Sequence, residues 1–412
     1  ARLGLDPARL RYEDIQRVPV TPKGALRDDP DAFVRRAARP ALHTATTGTT
    51  GRPTSVHFSA GELRTMVALS ALGLGLAGDV GPEDIVQLNT SSRATLGNLG
   101  LAGGAARLGA LVAPVGLVAP ARALALLAAE RRVAGKQPRV SVLSTYPSYL
   151  GELVECGLRL GYRPADFGLA RIFVGGELVT AGLLRRARRL FGELRFVQNY
   201  AMTELLPMGG ARCDEGHLHF AVPHGLLEVV DPETCAPARP GEPGTIVATP
   251  FPPFRDTTIL LRYDTEDVVR PVAGPLACTL RHLPATTDLL GKLRLAVRNE
   301  HGWTFPRDVA EALEAVEAVP LPARYGYRAE AGGVAVEAVV RAGLATPAVR
   351  REIEERLAER GVPVRRLRLV EDPRQLRRPL PLRCDLRETS FGPPPADDGR
   401  VSAAGDLRAV AR

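Results

Sequence analysis

Lysine is nearly absent from this chain. Lys23, Lys136 and Lys292 are the only lysines among 54 basic residues, so arginine carries almost all of the positive charge. An arginine keeps the charge of a lysine, but its planar, forked head group is not interchangeable with a compact ammonium. Chemistry that needs an ammonium can therefore use only three positions, and none of them follows residue 292.

Aromatic side chains are also scarce. They make up 5% of the residues, which leaves few surfaces on which nucleic-acid bases could stack. The formal charge of +8 is spread along the chain instead of forming a basic tail. This distribution favours small anionic ligands, and we expect no nucleic-acid partner.

Cysteines are few and odd in number. The five are Cys156, Cys213, Cys235, Cys278 and Cys384. Their scatter argues against a disulfide framework and favours a reducing compartment. The apolar stretch 111–127 is interrupted by Pro114, Pro120 and Arg122 and cannot span a bilayer, so no membrane partner is expected. With no signal-peptide pattern visible, the expected location is cytoplasmic.

The most distinctive stretch is 44–54, which reads Thr-Ala-Thr-Thr-Gly-Thr-Thr-Gly-Arg-Pro-Thr. Glycines let backbone N–H groups approach a phosphate closely, and threonine hydroxyls add uncharged donors. The segment therefore predicts a loop that binds a polyphosphate, although the Walker spacing and its lysine are missing. The candidate residues are Thr46, Thr47, Gly48, Thr49, Thr50 and Gly51. This segment alone leaves an ordinary polar surface loop open as the alternative.

Strands and helices alternate after this loop. Ser59 and Glu62 have the spacing of a capping box that would begin the first helix. The predicted strands are 84–88, 110–115, 140–143, 171–174 and 194–197, and the predicted helices include 121–132 and 148–156. Such alternation builds parallel sheets, which bind ligands at the carboxyl ends of their strands. The stretches 175–177 and 198–204 each follow a predicted strand.

The pattern changes after residue 204. Strands at 226–232, 244–249 and 259–263, followed by a charged loop at 264–267, predict a β-rich subdomain. Strands at 325–328, 334–339 and 364–370, with a helix at 346–360, predict a small α+β unit. The expected fold class is α/β, with an N-terminal domain of α/β sheets and a β-rich subdomain over 1–290. A small α+β C-terminal domain over 291–390 and a disordered tail over 391–412 would follow.

Five motifs in order resemble the adenylate-forming superfamily. They are the Thr/Gly loop, Gly-Gly-Glu at 175–177, Tyr-Ala-Met-Thr-Glu at 200–204, Gly-Glu-Pro-Gly-Thr at 241–245 and Arg-Tyr-Asp-Thr-Glu-Asp at 262–267. The stretches 18–23 and 146–149 resemble its phenylacetate-CoA ligase branch. The resemblance implies a mobile C-terminal domain and an AMP-forming ligase. Such an enzyme adenylates a small carboxylic acid with ATP and transfers the acyl group to CoA or a carrier-protein thiol.

The resemblance also implies roles for residues of these motifs. Glu204 would bind Mg²⁺, because a carboxylate is a hard oxygen ligand, and Thr203 would contact the α-phosphate. Tyr200 would offer a face to adenine, and Asp267 would accept both ribose hydroxyls. The remaining nucleotide-binding candidates are Gly175, Gly176, Glu177, Asn199, Ala201, Met202 and Lys292. The plainer alternatives are core positions for Tyr200 and Met202, and solvated charges for Glu204 and Asp267.

The sequence departs from the family pattern near its C-terminus. The lysine that stabilises adenylation in these enzymes is missing, and Arg378 is the predicted substitute, with Arg377 and Arg383 as alternatives. The carboxylates of 264–267 would repel ATP unless a cation such as Arg262 or magnesium compensates.

Three further possibilities remain open at this level. The adenylated group could be a small oxyanion such as nitrite, an amine could capture the acyl-AMP, or the chain could be a degraded homologue that only binds nucleotide. The acid is not identified, and a homodimer is a further possibility. Cys213, His217 and His219 could bind zinc together with Cys235, but the spacing fits no common zinc motif, so we expect a plain loop before a strand.

Overall fold

The computed structural model describes residues 11–46, 53–92, 94–300 and 302–386. The predicted phosphate-loop residues Thr47, Gly48, Thr49, Thr50 and Gly51 and the predicted disordered tail lie outside these ranges. The α-helices of the described part are α1 (Lys23–Asp28), α2 (Ala60–Gly78), α3 (Thr95–Arg107), α4 (Pro120–Ala128), α5 (Pro147–Arg159), α6 (Ala181–Phe191), α7 (Pro306–Glu314) and α8 (Pro347–Glu359).

The strands are β1 (Pro40–Ala45), β2 (Ser55–Ser59), β3 (Ile85–Asn89), β4 (Leu111–Pro114), β5 (Val142–Thr145), β6 (Arg171–Gly175), β7 (Arg195–Ala201), β8 (Gly209–Arg212), β9 (Leu218–Phe220), β10 (Gly225–Val230), β11 (Gly244–Pro250), β12 (Tyr263–Val269), β13 (Ala285–Thr286), β14 (Gly291–Lys292), β15 (Val297–Asn299), β16 (Gly302–Thr304), β17 (Tyr325–Glu330), β18 (Gly333–Val339) and β19 (Val364–Val370).

An eight-stranded sheet forms the centre of the molecule, in the order β13-β9-β8-β7-β6-β5-β3-β4. The five strands β7, β6, β5, β3 and β4 run parallel to one another, and β8, β9 and β13 add an antiparallel edge. Leu124, Leu150 and Leu190 of α4, α5 and α6 pack in one core, and Leu74 of α2 and Ala105 of α3 pack with strand residues in a second. The predicted alternation of helices and strands therefore forms a mixed α/β sheet.

Helix α2 begins as the sequence predicts. Ser59 accepts a hydrogen bond from the Glu62 amide at 3.2 Å, and Glu62 accepts one from the Ser59 amide at 2.6 Å. The glycine-rich run after residue 95 forms α3, and its small residues let α3 approach α2 closely. A Cβ at Gly104 would lie 2.8 Å from the Ala71 nitrogen of α2.

By length and composition, α2 could also cross a membrane, and no other helix of the described part has this property. One such helix is weak evidence, since core helices of soluble proteins meet the same criterion.

A four-stranded antiparallel sheet, β10-β11-β12-β14, forms the predicted β-rich part. The predicted strand at 259–263 is misplaced, because β12 begins at Tyr263 and includes the residues predicted as a charged loop. The strand accommodates these charges because they have partners: Asp267 lies 2.8 Å from the ammonium of Lys292, and Asp264 accepts a hydrogen bond from the Glu266 amide at 2.8 Å.

The C-terminal part contains a three-stranded sheet, β17-β18-β19, covered by α7 and α8. Its core includes Val309, Leu313, Val336, Ile353 and Leu357. The predicted strands and helix of this part all form, with β17 and β18 paired antiparallel and β18 and β19 paired in parallel. Strand β14 pairs with β12, so the first two residues of the predicted C-terminal domain complete the preceding sheet. The domain division and the mobility of the C-terminal part stay predictions.

Candidate active site

A cavity of about 250 Å³ lies at the carboxyl ends of β6 and β7, where parallel sheets bind ligands. It extends to β12, β14 and the C-terminal segment. Predicted site residues that line it are Gly176, Glu177, Asn199, Tyr200, Ala201, Met202, Asp267 and Lys292. Gly175 ends β6 beside them and lines an adjacent smaller cavity. The structure thus brings together motifs from three separate parts of the sequence.

Asp267 is fixed in the wall of the cavity. Its Oδ2 accepts a hydrogen bond from the Tyr200 hydroxyl at 3.0 Å, and its Oδ1 lies 2.8 Å from Lys292 Nζ. Lys292 also donates to the Thr265 carbonyl at 2.9 Å. Burial, together with the charge of Asp267, raises the pKa of Tyr200 well above its ordinary value, so the phenol stays protonated and remains a donor. The carboxylate keeps lone pairs available for a ligand with two adjacent hydroxyls.

Tyr200 both lines the cavity and packs against the core. Its ring meets the Phe220 ring edge to face, with centroids 6.0 Å apart and an interplanar angle of 81°. Tyr200 is therefore both a core residue and a residue of the site, because one side of its ring packs on Phe220 and another faces the cavity.

Lys23 forms a buried ion pair with Glu204. Lys23 Nζ donates to Glu204 Oε1 at 2.7 Å, and the Tyr263 hydroxyl donates to the same oxygen at 3.2 Å. Burial alone would raise the pKa of Glu204, but the neighbouring ammonium lowers it below the ordinary carboxyl value. Burial lowers the pKa of Lys23, and the attraction of Glu204 offsets this only in part. The carboxylate is therefore ionised and paired.

Sequence reasoning gave Lys23 no role in the site. The available signal was its rarity, since it is one of three lysines, and its place at the end of the stretch 18–23. Helix α1 begins at Lys23 and brings its side chain to Glu204 across 181 positions of sequence.

The geometry does not fit a resident magnesium ion at Glu204. The carboxylate is 1% exposed, its Oε1 accepts from an ammonium and a phenol, and it does not line the cavity. Thr203 lies beside it in the turn after β7, half-buried. The predicted metal role of Glu204 stays a prediction that this arrangement does not support.

The C-terminal segment closes one side of the cavity. Glu177 accepts hydrogen bonds from the Arg383 amide at 2.6 Å and from the Ser148 amide at 2.9 Å. Arg383 Nε donates to the Gly176 carbonyl at 2.8 Å, and its guanidinium lies 5.0 Å from the centre of the Tyr146 ring. Glu177 therefore connects the loop after β6, the start of α5 and the C-terminal segment.

Arg378, the predicted lysine substitute, is not part of this cavity. It is exposed and lines a different cavity with Arg328 and Arg377. The reason is the path of the backbone, because Leu380 donates to the Tyr325 carbonyl at 2.9 Å and the segment follows β17. The structure brings Arg383, one of the two alternatives, to the nucleotide motifs in place of Arg378.

Arg262 does not compensate the carboxylates of 264–267. Its guanidinium binds Glu228 through two contacts of 3.0 Å and donates to the Val18 carbonyl at 2.7 Å. Lys292, which pairs with Asp267, and Arg294, which pairs with Glu266, supply positive charge beside these carboxylates.

Thr46 closes the base of the predicted phosphate loop. Its amide donates to the Thr54 carbonyl at 2.9 Å, and its hydroxyl accepts from the Thr54 amide at 2.9 Å. The loop therefore joins the antiparallel strands β1 and β2, and α2 follows β2 directly.

The fold and the site together define an adenylate-forming enzyme. They combine a mixed α/β sheet packed against helices, a β-rich subdomain, a small α+β unit and a cavity lined by these motifs. A family model described as "AMP-binding enzyme" matches residues 11–249. The phenylacetate-coenzyme A ligase of Thermus thermophilus is 30% identical over 327 residues, which cover 77% of this chain and 70% of that protein. The enzyme of the same name from Escherichia coli is 26% identical over 287 residues, covering 68% of this chain and 63% of that protein.

Solved structures show the same fold. 2-Hydroxyisobutyryl-CoA ligase in the postadenylation state, in complex with R3-HIB-AMP, superposes with a TM-score of 0.75 at 22% identity, over 92% of this chain and 81% of that one. An open conformation of that ligase with 2-HIB-AMP and CoA gives a TM-score of 0.64 at 21% identity, over 92% and 83%. The chain belongs to the AMP-binding enzyme family, in its phenylacetate-CoA ligase-like branch. It is an AMP-forming ligase.

Proposed function

We propose that this protein converts a small carboxylic acid to an acyl-adenylate with release of pyrophosphate, and then transfers the acyl group to the thiol of CoA. The observation that carries the proposal is Asp267, held in the cavity wall by Tyr200 and Lys292. A fixed carboxylate can accept both hydroxyls of a ribose, which few other side chains can do.

The adjacent residues suit an adenosine nucleotide. The Tyr200 ring offers an aromatic face, and Gly176 has a backbone φ of +83°, a conformation that favours glycine. Arg383 and Lys292 supply fixed positive charge at the rim of the cavity. In this proposal Mg²⁺ enters with ATP as part of the substrate.

CoA is proposed as the acceptor from the relatives, and a weakly polar acyl group is proposed from the cavity lining. The curated relatives are named as coenzyme A ligases, and the open structure of the 2-hydroxyisobutyryl ligase contains CoA. The cavity also has an apolar part that includes Leu178, Leu289 and Leu295, which suits a weakly polar acyl group. The cytoplasm is the proposed compartment, because the five cysteines, all within the described residues, form no disulfide.

The test is pyrophosphate release from ATP and magnesium with a panel of acids that includes phenylacetate, short hydroxy acids and nitrite. We expect release with at least one carboxylic acid and none when the acid is omitted. Adding CoA should then yield an acyl thioester. No release with any acid would support the degraded-homologue alternative, and release with nitrite alone would support the oxyanion alternative.

A second stage identifies the acceptor. CoA, a carrier protein with its phosphopantetheine thiol and a simple amine are offered to the same acyl-adenylate. A thioester formed only with the carrier protein, or an amide formed only with the amine, would contradict the assignment of CoA.

A further inference from the structure

Four side chains with metal-binding atoms converge behind the strand that carries Tyr200. Two come from the turn between β8 and β9, one from β9 itself and one from the loop before β13. The four, named here the Cys2His2 cluster, are Cys213, His217, His219 and Cys278. One ligand atom of each lies within 4.8 Å of those of the other three. Strand β13 pairs with β9, which brings the loop and the hairpin together.

The separations inside the cluster suit a tetrahedral ion. Cys278 Sγ lies 3.3 Å from His219 Nε2, and Cys213 Sγ lies 3.9 Å from His217 Nδ1. Zn–S bonds of about 2.3 Å and Zn–N bonds of about 2.0–2.1 Å place neighbouring ligand atoms roughly 3.3–3.8 Å apart. The separation of 3.3 Å lies within this range, and the separation of 3.9 Å lies just above it.

The surrounding groups orient the ligands. His219 is 1% exposed, and its Nδ1 lies 3.4 Å from the Leu283 carbonyl, to which it donates. With Nδ1 directed at this oxygen, Nε2 is the ring nitrogen that faces Cys278, and in zinc sites such an outer oxygen orients the histidine ligand. The His217 amide donates to Cys213 Sγ at 3.4 Å, which holds this sulfur inside the turn beside the His217 ring.

We propose that the Cys2His2 cluster binds a structural Zn²⁺. Two sulfur and two imidazole ligands select zinc over magnesium or calcium, which prefer oxygen. Four protein ligands complete the coordination sphere and leave no position for a reacting water, so the ion is structural.

This assignment corrects the sequence-based candidate set, because Cys235 is exposed and lies in the turn after β10, outside the cluster. Cys278, 59 positions after His219, takes its place.

The ion would stabilise the wall of the nucleotide cavity. Strand β8 pairs with β7 and places Gly210 opposite Tyr200, and Phe220 of β9 packs on the Tyr200 ring. A zinc ion that ties the β8–β9 turn to the following loop therefore limits movement behind Tyr200. Its loss should loosen this edge of the sheet without removing any group that contacts the nucleotide.

The first experiment measures metal content. The untagged chain is purified in reducing buffer and analysed for zinc by mass spectrometry, and one zinc ion per chain is expected. Cys278→Ser and His219→Ala should each retain less than roughly a tenth of the zinc. Loss of an outer partner alone lowers metal affinity about 10–100-fold, and loss of a direct ligand should lower it more. Cys235→Ser is the matched control and should retain all of it.

The second experiment does not depend on whether a variant folds. Wild-type protein stripped of metal under reducing conditions is titrated with Co²⁺, and the absorption of tetrahedral cobalt with thiolate ligands should appear. Adding zinc afterwards should displace the cobalt and remove this absorption. Three outcomes would overturn the proposal: no binding of Co²⁺ or zinc by the reduced chain, full zinc content in Cys278→Ser, or zinc loss in Cys235→Ser.

Discussion

Lys23 and Glu204 form a buried ion pair across a distance of 2.7 Å, with side chains 9% and 1% exposed. The pair joins the first described α-helix to the turn that follows the motif strand β7. The contact with Glu204 fixes the position of the Lys23 ammonium, one of only three in the protein. A charge buried without its partner is costly, so the pair makes a direct prediction about stability.

Lys23→Met should lower the free energy of unfolding by about 3–5 kcal/mol, because it leaves the Glu204 carboxylate buried and uncompensated. The double variant Lys23→Met/Glu204→Gln should recover part of this loss. Urea denaturation of the wild type, both single variants and the double variant gives the coupling energy. Lys136→Met is the control: this lysine donates to the carbonyls of Gly109, at 2.5 Å, and Pro82, with no carboxylate partner in the described part of the chain, and a smaller loss of about 1.5–3 kcal/mol is expected there. Strictly additive single effects would contradict a coupled pair.

Tyr200→Phe should raise the KM for ATP about tenfold or more, because the Asp267 carboxylate loses the hydrogen bond that the Tyr200 hydroxyl donates. Hydrogen bonds to charged groups contribute about 1.5–3 kcal/mol. The ring and its packing on Phe220 remain, so the fold should not change. Steady-state pyrophosphate release at varied ATP measures the effect. Tyr162→Phe, in a ring pair with Phe167 remote from the cavity, serves as the control. An unchanged KM would remove the role given to this contact.

Arg383→Ala should slow acyl-adenylate formation about tenfold, since the guanidinium positions the Gly176 carbonyl and the cavity rim through a charge-assisted hydrogen bond. Arg378→Ala is the matched variant and should leave the rate unchanged, because Arg378 is exposed and lines another cavity. Single-turnover pyrophosphate release compares the two. The opposite order of effects would restore Arg378 as the substitute for the missing lysine.

Glu62→Gln should destabilise the protein by about 3–5 kcal/mol near neutral pH, because Glu62 pairs with the buried Arg255 at 3.1 Å. Burial would raise the pKa of Glu62, but hydrogen bonds from Ser59 and Thr257 and the charge of Arg255 lower it below the ordinary 4.5. The ionised carboxylate therefore stabilises the fold above pH 4.5, and this contribution is lost as the pH falls through the lowered pKa.

The corresponding measurement is the midpoint of thermal unfolding of both proteins between neutral and acid pH. The difference between wild type and Glu62→Gln should narrow in acid. A constant difference over the whole range would mean that the ionised form of Glu62 is not what stabilises the fold.

Local patterns predicted much of the fold. The capping box of Ser59 and Glu62, the strand at 364–370 and the alternation of helices and strands depend on interactions between near neighbours, which the sequence shows directly. The strand β12 was misplaced because charged residues are depleted in strands unless tertiary partners neutralise them. Lys292, the partner of Asp267, lies on another strand, β14.

The candidate site divides in the same way. The motifs at 175–177 and 200–204 and Asp267 follow from the sequence order, and the structure assembles them around one cavity. The pairing of Lys23 with Glu204 and the contact of Arg383 with Gly176 join residues 181 and 207 positions apart. No local pattern indicates which of several arginines or lysines will be at such a contact.

By itself, the sequence determined the class of this protein. Five short motifs occur in a characteristic order, and each has its own backbone and hydrogen-bonding requirements. Their positions after predicted strands indicate which strands end at the ligand site. The tertiary structure alone decided where the charges are. It placed Lys23 on Glu204, Arg383 at the cavity instead of Arg378, and Cys278 beside His219. The physical reason is that Coulomb attraction and hydrogen bonding act over a few ångströms in space, and folding brings distant positions to that separation.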